Sequence, residues 1–329
     1  MSFLEDIIGR AKITKRTIVL PESSDIRIIE AASIILKDDI ADVILIGNRD
    51  DIKKLAGKFD ISGARVEDPS SSSLFNDYVN SYFELRNAKG ITIEQARQIM
   101  TDNIQFGVMM VKKGHADGLV AGAVYGTANT MRPAFQIIKT VPGIKNASSF
   151  FIMVLPDIEY GYNGIFMYAD CSIIENPTAD QLADIALSSA DSFKSLIRSE
   201  PKIAMLSYST YGSAKSEMTE KVIEATKIAK QKSPWIVIDG ELQVDAAISP
   251  SVCAIKAPGS PIAGRANILI FPDLNSGNIA YKLTERLAKA EAYGPIIQGI
   301  AKPVNVLSRG CSVKDIIGIV SITCIQVKD

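Results

Sequence analysis

Histidine and cysteine, the side chains that most often build metal sites and nucleophilic centres, are scarce in this chain. Its 329 residues include one histidine and four cysteines. His115 precedes a predicted strand, and the chain has no nucleophile-elbow sequence, so a hydrolase with a Ser-His-Asp or Cys-His set is not indicated. The cysteines form no CxxC pair, which argues against a zinc site and a disulfide framework. We therefore expect no metal, and reduced thiols as in a cytoplasmic protein.

Long apolar runs and an excess of one charge are also lacking. The 36 basic and 37 acidic side chains nearly cancel, so the composition does not predict binding to nucleic acid or to an anionic membrane. No run reaches the roughly 18 apolar residues that a membrane span needs, and the N-terminal segment has no apolar signal region. Neither GxxxxGK[ST] nor GxGxxG after a strand is present, so the usual nucleotide fingerprints are absent.

Short apolar segments alternate with longer segments of helical periodicity, which is typical of parallel βαβ units. A chain of this length, with 47% hydrophobic residues, is expected to form about two domains. The predicted strands include residues 16–22, 42–47, 117–122, 203–209, 235–240 and 266–273. The predicted helices include residues 26–38, 49–59, 73–90, 92–114, 216–232 and 278–292, with two others beginning near Thr178 and Val313.

The alternation is interrupted once, by two adjacent strand-like segments at residues 150–156 and 164–171. Only a turn-rich stretch separates them, which predicts an antiparallel hairpin. Such a hairpin is foreign to a purely βαβ array and indicates a second domain.

Ligands of open α/β sheets bind beyond the carboxyl ends of the strands, so the loops after the strands are the places to search. In "TANTMRP", Thr127 and Thr130 offer hydroxyls, and Arg132 could clasp a phosphate beside a helix N-terminus. The same segment could equally be an ordinary capped helix. In "GSAKS", Ser213 and Lys215 could face an anion or cap the next helix.

Other candidates are ambiguous on residue type alone. Arg86 resembles a solvated helical arginine. Asp273 could bind a metal or cap a helix, although one carboxylate is too few for a metal site. Asn278 and Lys282, on the segment that follows Asp273, could line a cleft.

The stretch "VNVLSRGCSVKD", near the C-terminal end, supports two interpretations. Ser312 and Asp315 precede an apolar run and form the signature of a helix N-terminus. Ser308, Arg309 and Cys311 stand beside them, where anions and reactive groups collect. The spacing alone leaves a helix cap and an active site both open.

Four segments together resemble one known family, the phosphate acetyltransferases or phosphotransacetylases, in their short single-module form. The segments are "AGAVYGTANTMRPAFQIIKT", "IDGELQVDAAI", "KAPGSPIAGRANILIFPDLNSGNIAYK" and "KPVNVLSRGCSVKDI", and the similarity runs from about Arg16 to Thr323. The resemblance implies reversible acetyl transfer between acetyl phosphate and coenzyme A, which is a substrate. It implies no tightly bound cofactor and no metal in the chemical step.

The resemblance also implies an architecture. It predicts two α/β/α sandwich domains with a cleft between them, as in isocitrate and isopropylmalate dehydrogenases, and a homodimer. The first domain is expected to be discontinuous, with residues 1–143 and 296–329, and the second to comprise residues 144–295.

The family pattern assigns roles to matching residues. Arg309 and Arg132 correspond to arginines that engage phosphate or acetyl phosphate, and Arg86 to a third functional arginine. Ser308 corresponds to the serine that contacts the coenzyme A thiol, and Asp315 to the proposed base. Cys311 is given no nucleophilic role. The predicted catalytic residues are Ser308, Arg309 and Asp315, and the predicted substrate-binding residues are Arg86, Thr127, Thr130, Arg132, Ser213, Asn278 and Lys282.

Departures from the family pattern leave acyl preference open. They include Tyr125, Gly126, Asn129 and Val306, where the family commonly has other, mostly more polar, residues. A phosphate acyltransferase that prefers a longer acyl group such as butyryl therefore remains an alternative. Two others are a metal-dependent hydroxyacid dehydrogenase of the isocitrate type and a non-catalytic module that binds coenzyme A or phosphate.

Overall fold

The computed structural model describes residues 2–142, 144 and 146–328, except for the side chain of Thr127. The chain divides into two compact units. Unit 1 comprises Met1–Pro142 and Ile300–Asp329, and unit 2 comprises Gly143–Gly299.

The helices and strands follow one another in a regular order. The first part of unit 1 contains α1 (Phe3–Thr14), β1 (Thr17–Leu20), α2 (Ile26–Lys37), β2 (Asp42–Ile46), α3 (Arg49–Ala56), β3 (Arg65–Glu67), α4 (Phe75–Arg86), α5 (Ile93–Met100), α6 (Asn103–Lys113), β4 (Gly118–Ala121) and α7 (Thr127–Pro133). Unit 2 contains β5 (Ser148–Val154), β6 (Ile165–Ala169), α8 (Ala179–Ile197), β7 (Lys202–Leu206), α9 (Glu217–Lys232), β8 (Val237–Leu242), α10 (Val244–Ile248), α11 (Pro250–Lys256), β9 (Ile268–Ile270), α12 (Leu274–Leu287) and β10 (Glu291–Gln298). Unit 1 then ends with β11 (Val304–Val306) and α13 (Val313–Gln326).

The sheet of unit 1 has the strand order β11-β4-β1-β2-β3, and each of its four pairings is parallel. Helices cover both faces. A β-carbon at Gly107 of α6 would lie 2.8 Å from Leu119 Cδ1, and one at Gly118 would lie 2.6 Å from Thr323 Cγ2 of α13. Because Gly118 and Leu119 are successive residues of β4, they face opposite sides of the sheet. Unit 1 is therefore an α/β/α sandwich.

The sheet of unit 2 has the order β10-β5-β6-β9-β7-β8. The pairing of β5 with β6 is antiparallel, which confirms the predicted hairpin. β10 is also antiparallel to β5, whereas the pairings among β6, β9, β7 and β8 are parallel. Two units with mainly parallel sheets confirm the predicted α/β fold class.

Two helix predictions were wrong in extent. The helix expected over residues 92–114 is two helices, because the Asp102 carboxylate accepts the N–H groups of Ile104 and Gln105 and starts α6. The helix expected to reach residue 292 ends at Leu287. Lys289 then takes a positive φ of 58°, which L-residues rarely adopt inside a helix, and β10 begins at Glu291.

Candidate functional site

The parallel order of unit 1 gathers three loops at one edge of its sheet. They comprise residues 21–25 after β1, residues 122–126 after β4 and residues 307–312 after β11. Because β11, β4 and β1 are neighbours and parallel, the carboxyl ends of these strands lie side by side. This edge is where a ligand of such a sheet is expected.

The predicted catalytic hydroxyl and guanidinium occupy the loop after β11. Ser308 and Arg309 are both exposed. The Gly310 N–H donates to Ser308 Oγ at 3.3 Å, and the Cys311 N–H donates to the Ser308 carbonyl at 2.9 Å. These two bonds fold the loop into a tight turn and leave the hydroxyl and the arginine facing solvent.

Asp315 lies in the first turn of α13, where it forms a capping box with Ser312. Ser312 Oγ accepts the Asp315 N–H at 3.2 Å. In return, Asp315 Oδ2 accepts the Ser312 N–H at 2.8 Å and the Ser312 hydroxyl at 2.9 Å. The capping interpretation of this stretch is therefore correct, and Asp315 takes part in it. The N-terminal end of this 14-residue helix also favours an anion nearby.

Arg27 joins all three loops, although sequence reasoning did not single it out. Its Nη1 donates to the carbonyls of Arg309 and Cys311, each at 2.9 Å, and its Nη2 donates to the Ala123 carbonyl at 3.0 Å. Asp25 holds the guanidinium through Nε at 3.0 Å and Nη2 at 2.7 Å. The bond from Arg27 lowers the pKa of the Asp25 carboxyl, which stays ionised at neutral pH. The signal that the sequence offers for the role of Arg27 is that the preceding residues, 21–25, follow a predicted strand.

Cys311 is placed poorly for nucleophilic chemistry. Its side chain is buried, and burial raises the pKa of the thiol to about 11, against a smaller opposing effect of Arg27. A thiol with such a pKa is almost wholly protonated at neutral pH, and only the thiolate attacks.

We expect the Cys311→Ser variant to keep its turnover number within about threefold of wild type between pH 6 and 8. A protonated thiol does not act as a nucleophile, so the substitution removes no reacting group. Steady-state rates per folded protein, with the folded fraction measured by circular dichroism, test this. A loss of more than about 100-fold with an intact fold would contradict it and would assign a covalent role to Cys311.

Arg86 and Arg132 line one cavity of unit 1, of about 620 Å³. Arg86 ends α4 and Arg132 lies on α7, and Lys89 is the third cation of the lining. Among the described residues that line the cavity there is no carboxylate. Burial raises the pKa of Tyr82, which lines the cavity too, and Arg86 opposes that rise. Three cations in a lining whose described residues include no carboxylate suit an anionic ligand such as a phosphate group.

Of the two predicted threonines of α7, one has a described side chain. Thr130 is fully buried, and its Oγ1 has no hydrogen-bond partner among the described residues. The side chain of Thr127 lies outside the described part of the chain. Arg132, on the same helix, is exposed.

The predicted residues of unit 2 lie on loops and a helix that follow its strands. Ser213 Oγ accepts the Thr210 N–H at 3.1 Å, so it closes a turn of the loop after β7. Asn278 Nδ2 donates to the Cys171 carbonyl at 3.0 Å. Lys282 is exposed and its Nζ lies 5.3 Å from the centroid of the Tyr281 ring.

Two residues with ambiguous sequence interpretations have structural partners. Asp273 caps α12, since its carboxylate accepts the Ser276 N–H at 2.9 Å. His115 Nδ1 lies 2.5 Å from the Tyr78 hydroxyl.

Over the described ranges, no group of three or more His, Cys, Asp or Glu side chains could hold a metal ion. In the same part of the chain, no helix has the length and apolar character to cross a membrane.

Comparison with known proteins agrees with the resemblance. Residues 2–324 match the family model described as phosphate acetyl/butaryl transferase. A phosphate acetyltransferase from Acetivibrio thermocellus is 63% identical over 326 residues, which cover 99% of this chain and 98% of that protein. A crystal structure of a phosphotransacetylase from Streptococcus pyogenes superposes with a TM-score of 0.93 at 41% identity, covering 99% of both chains. A branched-chain phosphotransacylase from Enterococcus faecalis shares the fold, with a TM-score of 0.69 at 20% identity over 95% of this chain and 100% of that chain.

Proposed function

Since the chain belongs to the phosphate acetyl/butaryl transferase family, we propose that it transfers an acetyl group reversibly between acetyl phosphate and coenzyme A. One observation in the structure carries the proposal. The hydroxyl of Ser308 and the guanidinium of Arg309 are exposed in the loop before α13, and the carboxylate of Asp315 lies in the first turn of that helix. This set matches what thiol acylation by an acyl phosphate requires.

Arg309 stabilises the negative charge that develops in the transition state. As the thiolate attacks the acetyl carbonyl, negative charge builds on the carbonyl oxygen and on the departing phosphate. A guanidinium presents paired N–H donors to such oxygens. The Arg27 bonds to the carbonyls of Arg309 and Cys311 hold the backbone of this loop, so that the arginine side chain projects from a fixed position.

Asp315 and Ser308 manage the thiol proton. A thiol has a pKa of roughly 8.5, so only a few per cent is thiolate at neutral pH. Asp315 takes the proton, and because the Ser312 bonds end on Oδ2, we assign the proton to Oδ1. Ser308 orients the sulfur. The C–S bond forms, the bond from the acetyl carbon to the phosphate oxygen breaks, and phosphate leaves with that electron pair.

The remaining predicted residues bind substrates. Arg86 and Arg132, with Lys89, provide positive charge for phosphate groups, which both substrates carry. We assign Thr127, Thr130, Ser213, Asn278 and Lys282 to substrate contacts as well. We propose that coenzyme A is a substrate and not a resident group, that no cofactor stays tightly bound, and that each unit is a domain.

We also propose that the protein is a cytoplasmic homodimer. The apolar stripe on α12 supports association with a second copy, because Ile279, Leu283 and Leu287 recur at every fourth residue and are 56%, 52% and 77% exposed. Sedimentation that gives only the monomer mass at micromolar concentration would contradict the dimer. Recovery of the protein in a membrane or secreted fraction would contradict the location.

The function is tested by mixing purified protein with coenzyme A and either acetyl phosphate or butyryl phosphate, and following thiol consumption and acyl-coenzyme A formation. Faster use of acetyl phosphate supports the proposal, whereas faster use of butyryl phosphate would favour the longer-chain alternative, which the departures around Tyr125 and Asn129 keep open. Binding of coenzyme A without acyl transfer would favour a binding module. Reduction of NAD or NADP with a hydroxyacid and a divalent metal would favour the dehydrogenase.

A further inference from the structure

A buried carboxylate holds the loop that leads into the substrate-binding helix α7. Glu22 follows β1, and its side chain is 2% exposed. Its Oε2 accepts the N–H groups of Gly122 at 2.7 Å and Ala123 at 2.8 Å. Its Oε1 accepts those of Val124 at 3.1 Å and Tyr125 at 2.9 Å. Four consecutive backbone N–H groups therefore donate to one side chain that lies 100 to 103 residues earlier in the sequence.

This arrangement changes what the loop after β4 can do. Consecutive N–H groups that point to one side form a concave site that ordinarily binds an anion. In this protein the chain's own carboxylate occupies it, so those four amides are not available to the phosphate groups of a substrate. Anion binding at this edge then depends on other groups, which include guanidinium side chains such as that of Arg132 and the N-terminal end of α13.

Two contacts transmit the position of the loop to the predicted site. Gly126 directly follows the four held amides, and its carbonyl accepts the N–H groups of Asn129 at 3.0 Å and Thr130 at 3.4 Å, which starts α7. Gly122 packs closely on the loop after β11, because a β-carbon at Gly122 would lie 2.6 Å from the Leu307 carbonyl oxygen. The loop is thus fixed at one end to α7 and at the other to the segment that precedes Ser308.

We infer that Glu22 is a positioning residue for acyl transfer, which sets the place of α7, and through it Arg132, by holding the amides of residues 122–125. The inference rests on the proposed function for its kinetic consequence. The underlying contact is independent of that function. Removal of a buried carboxylate that accepts four N–H groups leaves those donors without partners.

The test uses two variants. Glu22→Gln keeps the size of the side chain but has only one acceptor oxygen, and Glu22→Ala has no side-chain acceptor. Asp117→Asn is the matched control. Asp117 Oδ2 accepts the Thr17 N–H at 2.8 Å at the amino ends of β1 and β4, the edge opposite to the site. The substitution changes a carboxylate that accepts a backbone N–H, as Glu22 does, without touching the carboxyl-edge loops.

Hydrogen exchange followed by mass spectrometry gives the first readout, which does not depend on activity. We expect the backbone amides of residues 122–125 to exchange about tenfold or more faster in Glu22→Gln than in wild type, and faster again in Glu22→Ala, because they lose a buried acceptor. Asp117→Asn should leave their exchange unchanged. Unchanged exchange in both Glu22 variants would overturn the inference.

Steady-state kinetics give the second readout. We expect KM for acetyl phosphate to rise about tenfold in Glu22→Gln, because a displaced Arg132 binds the substrate less well. A purely structural role would lower the melting temperature and leave KM unchanged, as expected for Asp117→Asn, and that result in Glu22→Gln would overturn the positioning role. Wild-type protein that forms no acetyl-coenzyme A would instead refute the proposed function.

Discussion

Turnover of the Arg309→Ala variant is expected to fall about 100-fold or more, the largest effect that we predict for a single side chain. Loss of one preorganised charge partner of a transition state typically lowers kcat by about 100-fold to 1,000-fold. Arg309 is exposed, so its removal leaves no buried group without a partner. The protein should therefore fold normally, and initial rates of acetyl-coenzyme A formation at saturating substrates measure the effect directly.

Two further variants make that measurement specific. Arg309→Lys retains the charge but lacks the planar paired donors, so we expect it to recover part of the lost rate. Arg49→Ala removes another exposed arginine of unit 1, on α3, and should leave turnover near wild type. Wild-type-like turnover of Arg309→Ala would refute the assigned role, and an equal loss in Arg49→Ala would indicate a general effect of net charge.

Much of the fold could be predicted from the sequence because its signals are local. Buried parallel strands form short apolar runs, and helices begin at side chains that cap them, as Ser312 does for α13 and Thr178 for α8. The break between α5 and α6 was missed because the apolar periodicity continues through it. The new helix starts at this point because the Asp102 carboxylate accepts two backbone N–H groups, and apolar periodicity does not reveal such bonds.

The framework of the site could not be predicted, because its contacts join distant segments. Glu22 and Arg27 bond to loops that lie about 100 and 280 residues away in sequence. Neither residue has a neighbour that signals the contact. An acidic residue after a strand usually indicates an exposed position or a turn. Its burial depends on the backbone N–H groups of a neighbouring loop, which the local sequence does not reveal.

The same use of a buried carboxylate recurs in unit 2, which suggests a general way of building these loops. Asp170, after β6, accepts the N–H groups of Ser172 at 2.9 Å and Ile174 at 3.0 Å. Glu241, near the end of β8, accepts the Gly212 N–H at 2.7 Å and the Ser209 hydroxyl at 2.9 Å. Irregular loops at a sheet edge leave backbone donors unpaired, and an internal carboxylate satisfies several of them at once.

The Asp315→Asn variant is expected to lose about 100-fold in turnover at pH 7, because general bases typically contribute about 100-fold to 10,000-fold. The loss should shrink as the pH rises. The variant depends on thiolate that forms without help, and the thiolate fraction of coenzyme A rises from about 3% at pH 7 to nearly all of it above about pH 9.5, for a thiol pKa of roughly 8.5. The rate of the variant should therefore climb by up to about 30-fold over this interval, while the wild-type rate changes little.

Because Asp315 belongs to a capping box, the control must separate capping from base catalysis. Ser312→Ala removes the other half of the box and should lower stability by about 1 kcal/mol, the usual effect of losing an N-cap side chain. Its pH–rate profile should keep the wild-type shape, since the carboxylate that takes the thiol proton is still present. If Asp315→Asn instead shows a wild-type profile together with a stability loss like that of Ser312→Ala, then Asp315 is only a cap, and the thiol proton must leave by another group.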